Sequence, residues 1–81
     1  MRLTDLPQRQ AARIDGVEDR EPGDPLAHRL RLLGFVAGEP VRLVARGLFG
    51  ADPLLVELGG TRFALRRSEA GRVQVTPDAS A

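Results

Sequence analysis

Two adjacent glycines between runs of alternating apolar residues constrain the fold of this chain more than any other feature. The stretch reads LLVEL, then Gly59 and Gly60, then TRFAL. Two glycines supply the positive-φ positions that a two-residue hairpin turn requires, and so short a turn fixes the register of its strands. That register predicts an inner face and an outer ion pair from four pairs: Leu58 with Thr61, Val56 with Phe63, Leu54 with Leu65, and Glu57 with Arg62.

Alternation of apolar and polar side chains predicts three further strands. The first lies in AARIDGVED, the second in EPVRLVARG, which leads into a loop GLFGADP, and the last is RVQV. Between the hairpin and the last strand, RRSEAG predicts one helical turn capped by Ser68. We expect these positions to lie on the core side of the strands: Ala12, Ile14, Gly16, Val41, Leu43, Ala45, Val73 and Val75.

A single longer helix is predicted over residues 25–33. Asp24 stands at the N-cap position, and Pro25 takes the first helical position, where its missing N–H costs nothing. Leu26, Leu30 and Leu33 recur at helical spacing and form the expected buried stripe. Gly34 then predicts a left-handed helix end, with Phe35 folded back on the last turn.

The chain has 81 residues, which is one domain. We expect that domain to span residues 1–76 and residues 77–81 to form a frayed tail. Five short strands with tight turns favour a small closed or nearly closed barrel, because closure removes exposed sheet edges. The fold class is therefore mainly β, with the helix as a plug in one open end.

Composition limits the chemistry that this chain can perform. It has no cysteine, tryptophan or tyrosine and one histidine, and its net charge is +1 with arginine as the only basic residue type apart from that histidine. The absence of cysteine fits a reducing compartment and excludes thiolate chemistry. A nucleophile-and-base mechanism lacks partners, and the carboxylates of GVEDRE lie in a polar segment where nothing raises their pKa. We expect no enzymatic activity, and we expect a cytoplasmic location because no signal-peptide pattern opens the sequence.

Asp24 and His28 are four residues apart on the predicted helix, so they could present an oxygen and an imidazole to one metal ion. Two ligands form only half of a zinc-like site. The competing interpretation, which we favour, makes Asp24 the helix cap and His28 a surface residue. We expect no required cofactor, and at most an adventitious divalent ion such as zinc.

Two surfaces are candidates for partner binding. Leu48 and Phe49 lie between glycines in the predicted loop, where apolar side chains either mark a contact or fold over the barrel mouth. The second candidate is a basic surface that could meet acidic groups of a partner or a phosphate: Arg29, Arg31, Arg66 and Arg67. A small barrel that binds nucleic acid is the alternative function, although three phenylalanines offer little stacking surface.

The sequence resembles the FeoA family of small bacterial proteins. The resemblance rests on LTDLPQRQAARI, RLRLLGFVAGEPV, ADPLLVEL and FALRRSEAGRVQV, which together cover nearly the whole chain. The matching residues are Leu33, Gly34, Phe35 and Gly38 at the helix end, Asp52 and Pro53 before a strand, and Leu65, Arg66, Glu69 and Ala70. Three positions depart from the family pattern: Ala37 replaces a frequent proline, Arg9 stands near a usual glycine, and FGADP carries an extra residue.

This resemblance implies an SH3-like barrel and a cytoplasmic accessory or regulatory protein of ferrous iron uptake. Such a protein would bind the cytoplasmic GTPase region of the membrane transporter FeoB and modulate its activity or assembly. The partner would recruit it to the inner face of the membrane, without insertion of the protein itself. The resemblance also implies an association with transition metals. No nucleic-acid partner is expected, because the chain offers few aromatic side chains for stacking.

Overall fold

The described part of the chain forms five strands, two α-helices and one short 3-10 turn. The computed structural model describes residues 1–49 and 52–78, without the side chains of Leu48 and Phe49. In chain order the elements are a 3-10 turn at Leu3–Asp5, β1 at Ala11–Val17, α1 at Pro25–Leu33, β2 at Pro40–Phe49, β3 at Asp52–Leu58, β4 at Thr61–Leu65, α2 at Arg67–Ala70 and β5 at Val73–Pro77. This order confirms the mainly β fold with one helix inserted after the first strand.

The strands form one antiparallel sheet in the order β4-β3-β2-β1-β5. The register shifts between Ile14 and Gly16 in β1, and twice in β2, between Leu43 and Ala45 and between Arg46 and Phe49. Such irregularities bend a strand and increase its twist, which lets the sheet curl. Every strand contributes to the resulting interior, whose members are Leu3, Leu6, Ala12, Ile14, Leu30, Phe35, Val41, Leu43, Leu54, Val56, Leu58, Leu65, Ala70, Val73 and Val75.

The hairpin of β3 and β4 has the predicted register. All four predicted cross-strand pairs are present, and the guanidinium Nε of Arg62 lies 3.5 Å from the carboxylate Oε2 of Glu57. The turn itself differs in one detail. Gly59 has a φ of 61°, but Gly60 has no positive φ, so only the first glycine uses its special freedom. A positive φ at the first central residue alone is the pattern of a type II′ turn.

Helix α1 begins and ends as its sequence predicts. The Asp24 carboxylate Oδ1 accepts hydrogen bonds from the backbone N–H groups of Leu26, at 3.0 Å, and Ala27, at 3.4 Å. Gly34 is left-handed, with a φ of 112°, and the N–H of Phe35 donates to the Leu30 carbonyl at 3.1 Å. The Gly34 N–H also donates to the Arg31 carbonyl at 3.1 Å, and the two bonds together define a Schellman motif. Phe35 is fully buried and packs its ring on that of Phe63, so the chain is folded back over the helix end as expected.

The buried stripe of α1 is rotated from its predicted position. Leu30 is buried as expected, but Ala27 is the other fully buried side chain, Leu26 is half-buried and Leu33 is exposed. The prediction of Leu33 as a core residue is therefore wrong. The stripe continues from Leu30 to Gly34. The backbone of Gly34 approaches Leu58 so closely that a Cβ added to Gly34 would lie 3.4 Å from the Cδ2 of Leu58. The close approach of Gly34 leaves Leu33 outside the barrel rim.

Three further expectations need correction. Ser68 does not cap α2, because it lies inside the helix, and Glu69 instead accepts a hydrogen bond from the backbone N–H of Arg66 at 2.9 Å. The backbone of Leu48 and Phe49 belongs to strand β2 rather than to a loop. Strand β5 extends to Pro77, one residue into the segment expected to fray, while residues 79–81 lie outside the description.

The first residues of the chain cover the outer side of β5. The Val75 N–H donates to the Met1 carbonyl at 2.7 Å, and Arg2 forms an antiparallel bridge with Gln74. The guanidinium of Arg2 also donates to the Gly71 carbonyl, which fixes this segment on the strand. Within the described residues, β4 has no such cover on its outer side.

Candidate functional site

The predicted site residue Asp24 lies at the centre of a buried ion pair. Its Oδ2 accepts hydrogen bonds from the Arg72 Nε, at 2.7 Å, and from the Arg20 backbone N–H, at 3.0 Å. Arg72 is also largely buried, and its other guanidinium nitrogen donates to the Ser68 carbonyl. The Arg72 hydrogen bond, followed by that of the Arg20 N–H, holds the pKa of Asp24 well below 3.8. Asp24 therefore joins the start of α1 to the segment after α2.

The geometry favours the capping role of Asp24 over a metal site. Both of its oxygens already accept hydrogen bonds, and His28 is exposed on the surface of α1. Over residues 1–49 and 52–78, no three histidine, aspartate or glutamate side chains come together in a group that could hold a metal ion. The metal assignment to Asp24 and His28 stays a prediction that only a metal-binding measurement can test.

Helices α1 and α2 bring three of the four predicted arginines to one surface. Glu69 joins the two helices, because its Oε1 accepts from the Arg66 backbone while its Oε2 lies 3.9 Å from the Arg29 guanidinium. Arg67 follows directly in α2, and its backbone N–H donates to the Asp52 carboxylate at 3.0 Å. All three arginines are exposed, and among the described residues no ion pair involves the side chains of Arg66 or Arg67. We call Arg29, Arg66 and Arg67 the basic helix surface.

The fourth arginine, Arg31, is separated from this surface. Its guanidinium lies 3.1 Å from the Asp19 carboxylate and donates to the Val17 carbonyl at 2.7 Å. Arg31 therefore ties α1 to the end of β1 and is half-buried there. Its hydrogen bonds give it a structural role, whereas the Arg29 side chain is mostly exposed.

An exposed apolar cluster at the end of α1 was missed by sequence reasoning. Leu32 is 75% exposed, Val36 43% and Leu33 38%, and all three lie within five residues of one another around Gly34. Arg29 precedes Leu32 and Leu33 by three and four residues on the same helix, so it borders the cluster. We call Leu32, Leu33 and Val36 the helix-end cluster. Groups of exposed large apolar side chains often mark protein contacts.

The other predicted contact residues, Leu48 and Phe49, are only partly described. Their backbone continues β2, and Phe49 is opposite Asp52 in the register with β3. Their side chains lie outside the described part of the structure. The contact role of these two residues therefore stays a prediction.

The structure defines the class of this protein: a small SH3-like barrel with an exposed helix face that is both basic and apolar. The FeoA domain family matches residues 1–77. The chain belongs to this family, which confirms the resemblance found in the sequence. No curated protein sequence matches the chain.

Solved structures agree with this assignment. FeoA of Stenotrophomonas maltophilia is 54% identical in sequence to this chain. That protein is complexed with zinc and is described as an SH3 domain protein and a candidate ferrous iron transport activating factor. The similarity to it covers 94% of this chain and 89% of that one, with a TM-score of 0.87. Iron(II) transport protein A of Clostridium thermocellum is 31% identical, with a TM-score of 0.82 over 95% of this chain and 45% of that one. A manganese-dependent transcriptional repressor shares the fold alone. It is 16% identical, with a TM-score of 0.80 over 95% of this chain and 41% of that one.

Proposed function

We propose that this chain is a non-catalytic accessory protein of ferrous iron uptake that binds the cytoplasmic GTPase region of FeoB. Membership of the FeoA family supports the link to ferrous iron transport. The observation that supports a binding role is that the basic helix surface borders the helix-end cluster. Neither helix of the described residues is long and apolar enough to cross a bilayer. In this proposal the protein acts in the cytoplasm and reaches the membrane through its partner.

The chemistry of the surface suits an acidic protein partner with an apolar patch. Arginine donates to carboxylates in a bidentate geometry, and such charge-assisted hydrogen bonds are among the stronger polar contacts. Leu32, Leu33 and Val36 would supply the apolar centre of the contact, and the arginines its charged rim. Binding would modulate the activity or assembly of the transporter without a catalytic group on this chain.

No cofactor takes part in the proposed function. Asp24 is committed to Arg72 and to the helix start, so a divalent ion such as zinc would bind only adventitiously, with His28 and ligands from a second molecule. Removal of metal with a chelator should therefore leave binding to the FeoB cytoplasmic region unchanged. A loss of binding that zinc restores would contradict this part of the proposal.

Charge reversal on the basic helix surface tests the binding role. The variants Arg66→Glu and Arg67→Glu, singly and together, should weaken binding to the purified cytoplasmic region of FeoB by at least about tenfold for the double variant. Arg13→Glu is the matched control, because Arg13 is also exposed but lies on β1, away from α2. Binding is measured by surface plasmon resonance, and circular dichroism checks the fold of each variant.

Two results would contradict the proposal. Unchanged binding of the double variant would remove the basic helix surface from the contact. Equal loss in Arg13→Glu would show that net charge alone controls the interaction. The alternative of nucleic-acid binding predicts oligonucleotide affinity that falls steeply with salt, which the same instrument measures.

A further inference from the structure

A second group of arginines converges on the outer face of the sheet, away from the basic helix surface. Arg42 of β2, Glu57 of β3 and Arg62 of β4 form one row, since Arg42 is opposite Glu57 and Glu57 is opposite Arg62 in the registers. Side chains opposite one another in antiparallel strands lie on the same face and about 5 Å apart at Cβ. The row therefore places one carboxylate between two guanidinium groups.

Arg9 brings a third guanidinium to this row from outside the sheet. Its φ of 70° is left-handed, and among the described residues it is the one non-glycine with a positive φ. The Arg9 N–H donates to the Leu43 carbonyl at 2.7 Å, which holds the residue beside β2. A strained backbone at a polar surface residue is a recurrent feature of ligand sites. Here the left-handed backbone of Arg9 places its side chain beside those of Arg42 and Arg62.

These side chains line a cavity of about 210 Å³ on the protein surface, formed by Arg9, Arg42, Val44, Glu57 and Arg62. Three guanidinium groups and one carboxylate leave this cavity with a net charge of +2. Glu57 is paired with Arg62, and among the described residues neither Arg9 nor Arg42 forms a side-chain ion pair. The cavity therefore presents two guanidinium groups, those of Arg9 and Arg42, that no carboxylate of the described residues pairs with.

We propose that this cavity, which we call the outer-face cavity, binds the phosphate group of a phosphate monoester. A phosphate monoester carries about 1.5 to 2 negative charges at neutral pH, which matches the net charge of the cavity. Arginine forks fit phosphate oxygens with two parallel hydrogen bonds, and Arg9 and Arg42 are the free forks. The monoester belongs either to a soluble phosphorylated molecule or to a lipid headgroup of the phosphatidic acid type.

An adjoining cavity leaves room for the rest of such a ligand. It measures about 180 Å³, shares Arg42 and Glu57 with the outer-face cavity, and is otherwise lined by small or apolar residues of β1 and β2 and by Gly59. A phosphate held by Arg9 and Arg42 would direct its ester substituent toward this second space. The site is independent of the proposed contact with FeoB, because it shares no residue with the basic helix surface.

Titration with inorganic phosphate, observed on the arginine Nε–Hε groups by NMR, tests the proposal. We expect saturable shifts of Arg9, Arg42 and Arg62, and none from sodium chloride added to equal ionic strength. Arg42→Gln should weaken phosphate binding by at least about tenfold, while the matched variant Arg13→Gln, exposed on β1 and outside both cavities, should change it less than about twofold. Glu57→Gln should strengthen binding severalfold, because it removes the one negative charge of the cavity.

The opposite results overturn the proposal. Shifts that stay linear without saturation, equal effects of Arg42→Gln and Arg13→Gln, or weaker binding in Glu57→Gln would each show that no phosphate site exists here. Co-sedimentation with phosphatidylcholine vesicles containing phosphatidic acid distinguishes the two sources. Binding of both probes supports a lipid headgroup, and binding of inorganic phosphate alone supports a soluble ligand. An amide spectrum of each variant confirms that its fold is retained.

Discussion

Three leucines of helix α1 differ in exposure, so their truncation to alanine should cost graded amounts of stability. Leu30 is 1% exposed, Leu33 38% and Leu32 75%, although all three belong to the same nine-residue helix. Helix propensity changes equally in each variant, because leucine is replaced by alanine every time. The differences in the free energy of unfolding therefore report on burial alone.

The expected magnitudes follow from the buried surface. Leu30→Ala removes three carbon atoms from a closed interior, which costs about 2 kcal/mol in transfer free energy. The barrel strands around it cannot all collapse into the space, and the residual cavity adds about 1–2 kcal/mol. We expect about 3–4 kcal/mol for Leu30→Ala. Leu33→Ala, part-buried and without a closed cavity, should cost about 1 kcal/mol, and Leu32→Ala less than about 0.5 kcal/mol.

Urea denaturation followed by far-ultraviolet circular dichroism measures the series. The slope of the free energy against urea should be the same in all variants, so the midpoints alone rank them. A cost for Leu32→Ala equal to that of Leu30→Ala would refute the orientation of α1. A negligible cost for Leu30→Ala would refute its role as the plug of the barrel.

Three other features of the fold give direct predictions. In a double-mutant cycle, Asp24→Ala and Arg72→Leu together should shift the denaturation midpoint less than the sum of the single variants, since each single change leaves a buried charge unpaired. The pKa of Asp24 is depressed below 3.8 in the folded state. The stabilisation that ionised Asp24 gives the fold is therefore complete above that pH and is lost as the pH falls below it. Asp24→Asn should lose stability less steeply in acid, as measured by the denaturation midpoint against pH. Gly34→Ala should lower the free energy of unfolding by more than about 1 kcal/mol, because its φ of 112° strains any residue with a Cβ, and an unchanged midpoint would argue against the left-handed helix end. Arg62→Gln on the exposed Glu57 pair should cost less than about 1 kcal/mol in the same assay, and a larger loss would show that this pair is more than a surface contact.

Local sequence rules were sufficient for most elements of the fold. The glycine pair and the alternation around it gave the register of the β3–β4 hairpin, and Asp24 and Gly34 gave the ends of α1. These features depend on residues close together in the chain, where backbone geometry leaves few choices. The family resemblance added the SH3-like topology, which the alternation alone left as a closed or nearly closed barrel.

The errors have two sources: one contact between residues distant in sequence, and one local competition between capping residues. Leu33 fits the helical spacing of a buried stripe as well as Ala27 does, and only the approach of Gly34 to Leu58 selects the second. Ser68 is a good capping residue in isolation, but Glu69 reaches the free N–H of Arg66.

The candidate site was harder to predict than the fold. The basic helix surface was partly anticipated, because Arg29, Arg66 and Arg67 were named from the sequence, but the separation of Arg31 depends on its contact with Asp19. The exposure of Leu32 and Val36 depends on the orientation in which α1 packs on the barrel. The position of Leu32 outside the predicted stripe was the one available indication in the sequence.

The cover of Met1 and Arg2 over β5 limits how copies of this protein can associate through their sheets. A strand at the edge of a sheet can accept a strand from a neighbouring molecule. The chain's own first residues occupy one end of the sheet, and within the described residues β4 at the other end has no such cover and is open to this exchange. Association through the sheet would therefore join two molecules at β4, with the covered β5 strands at the two outer ends of the pair.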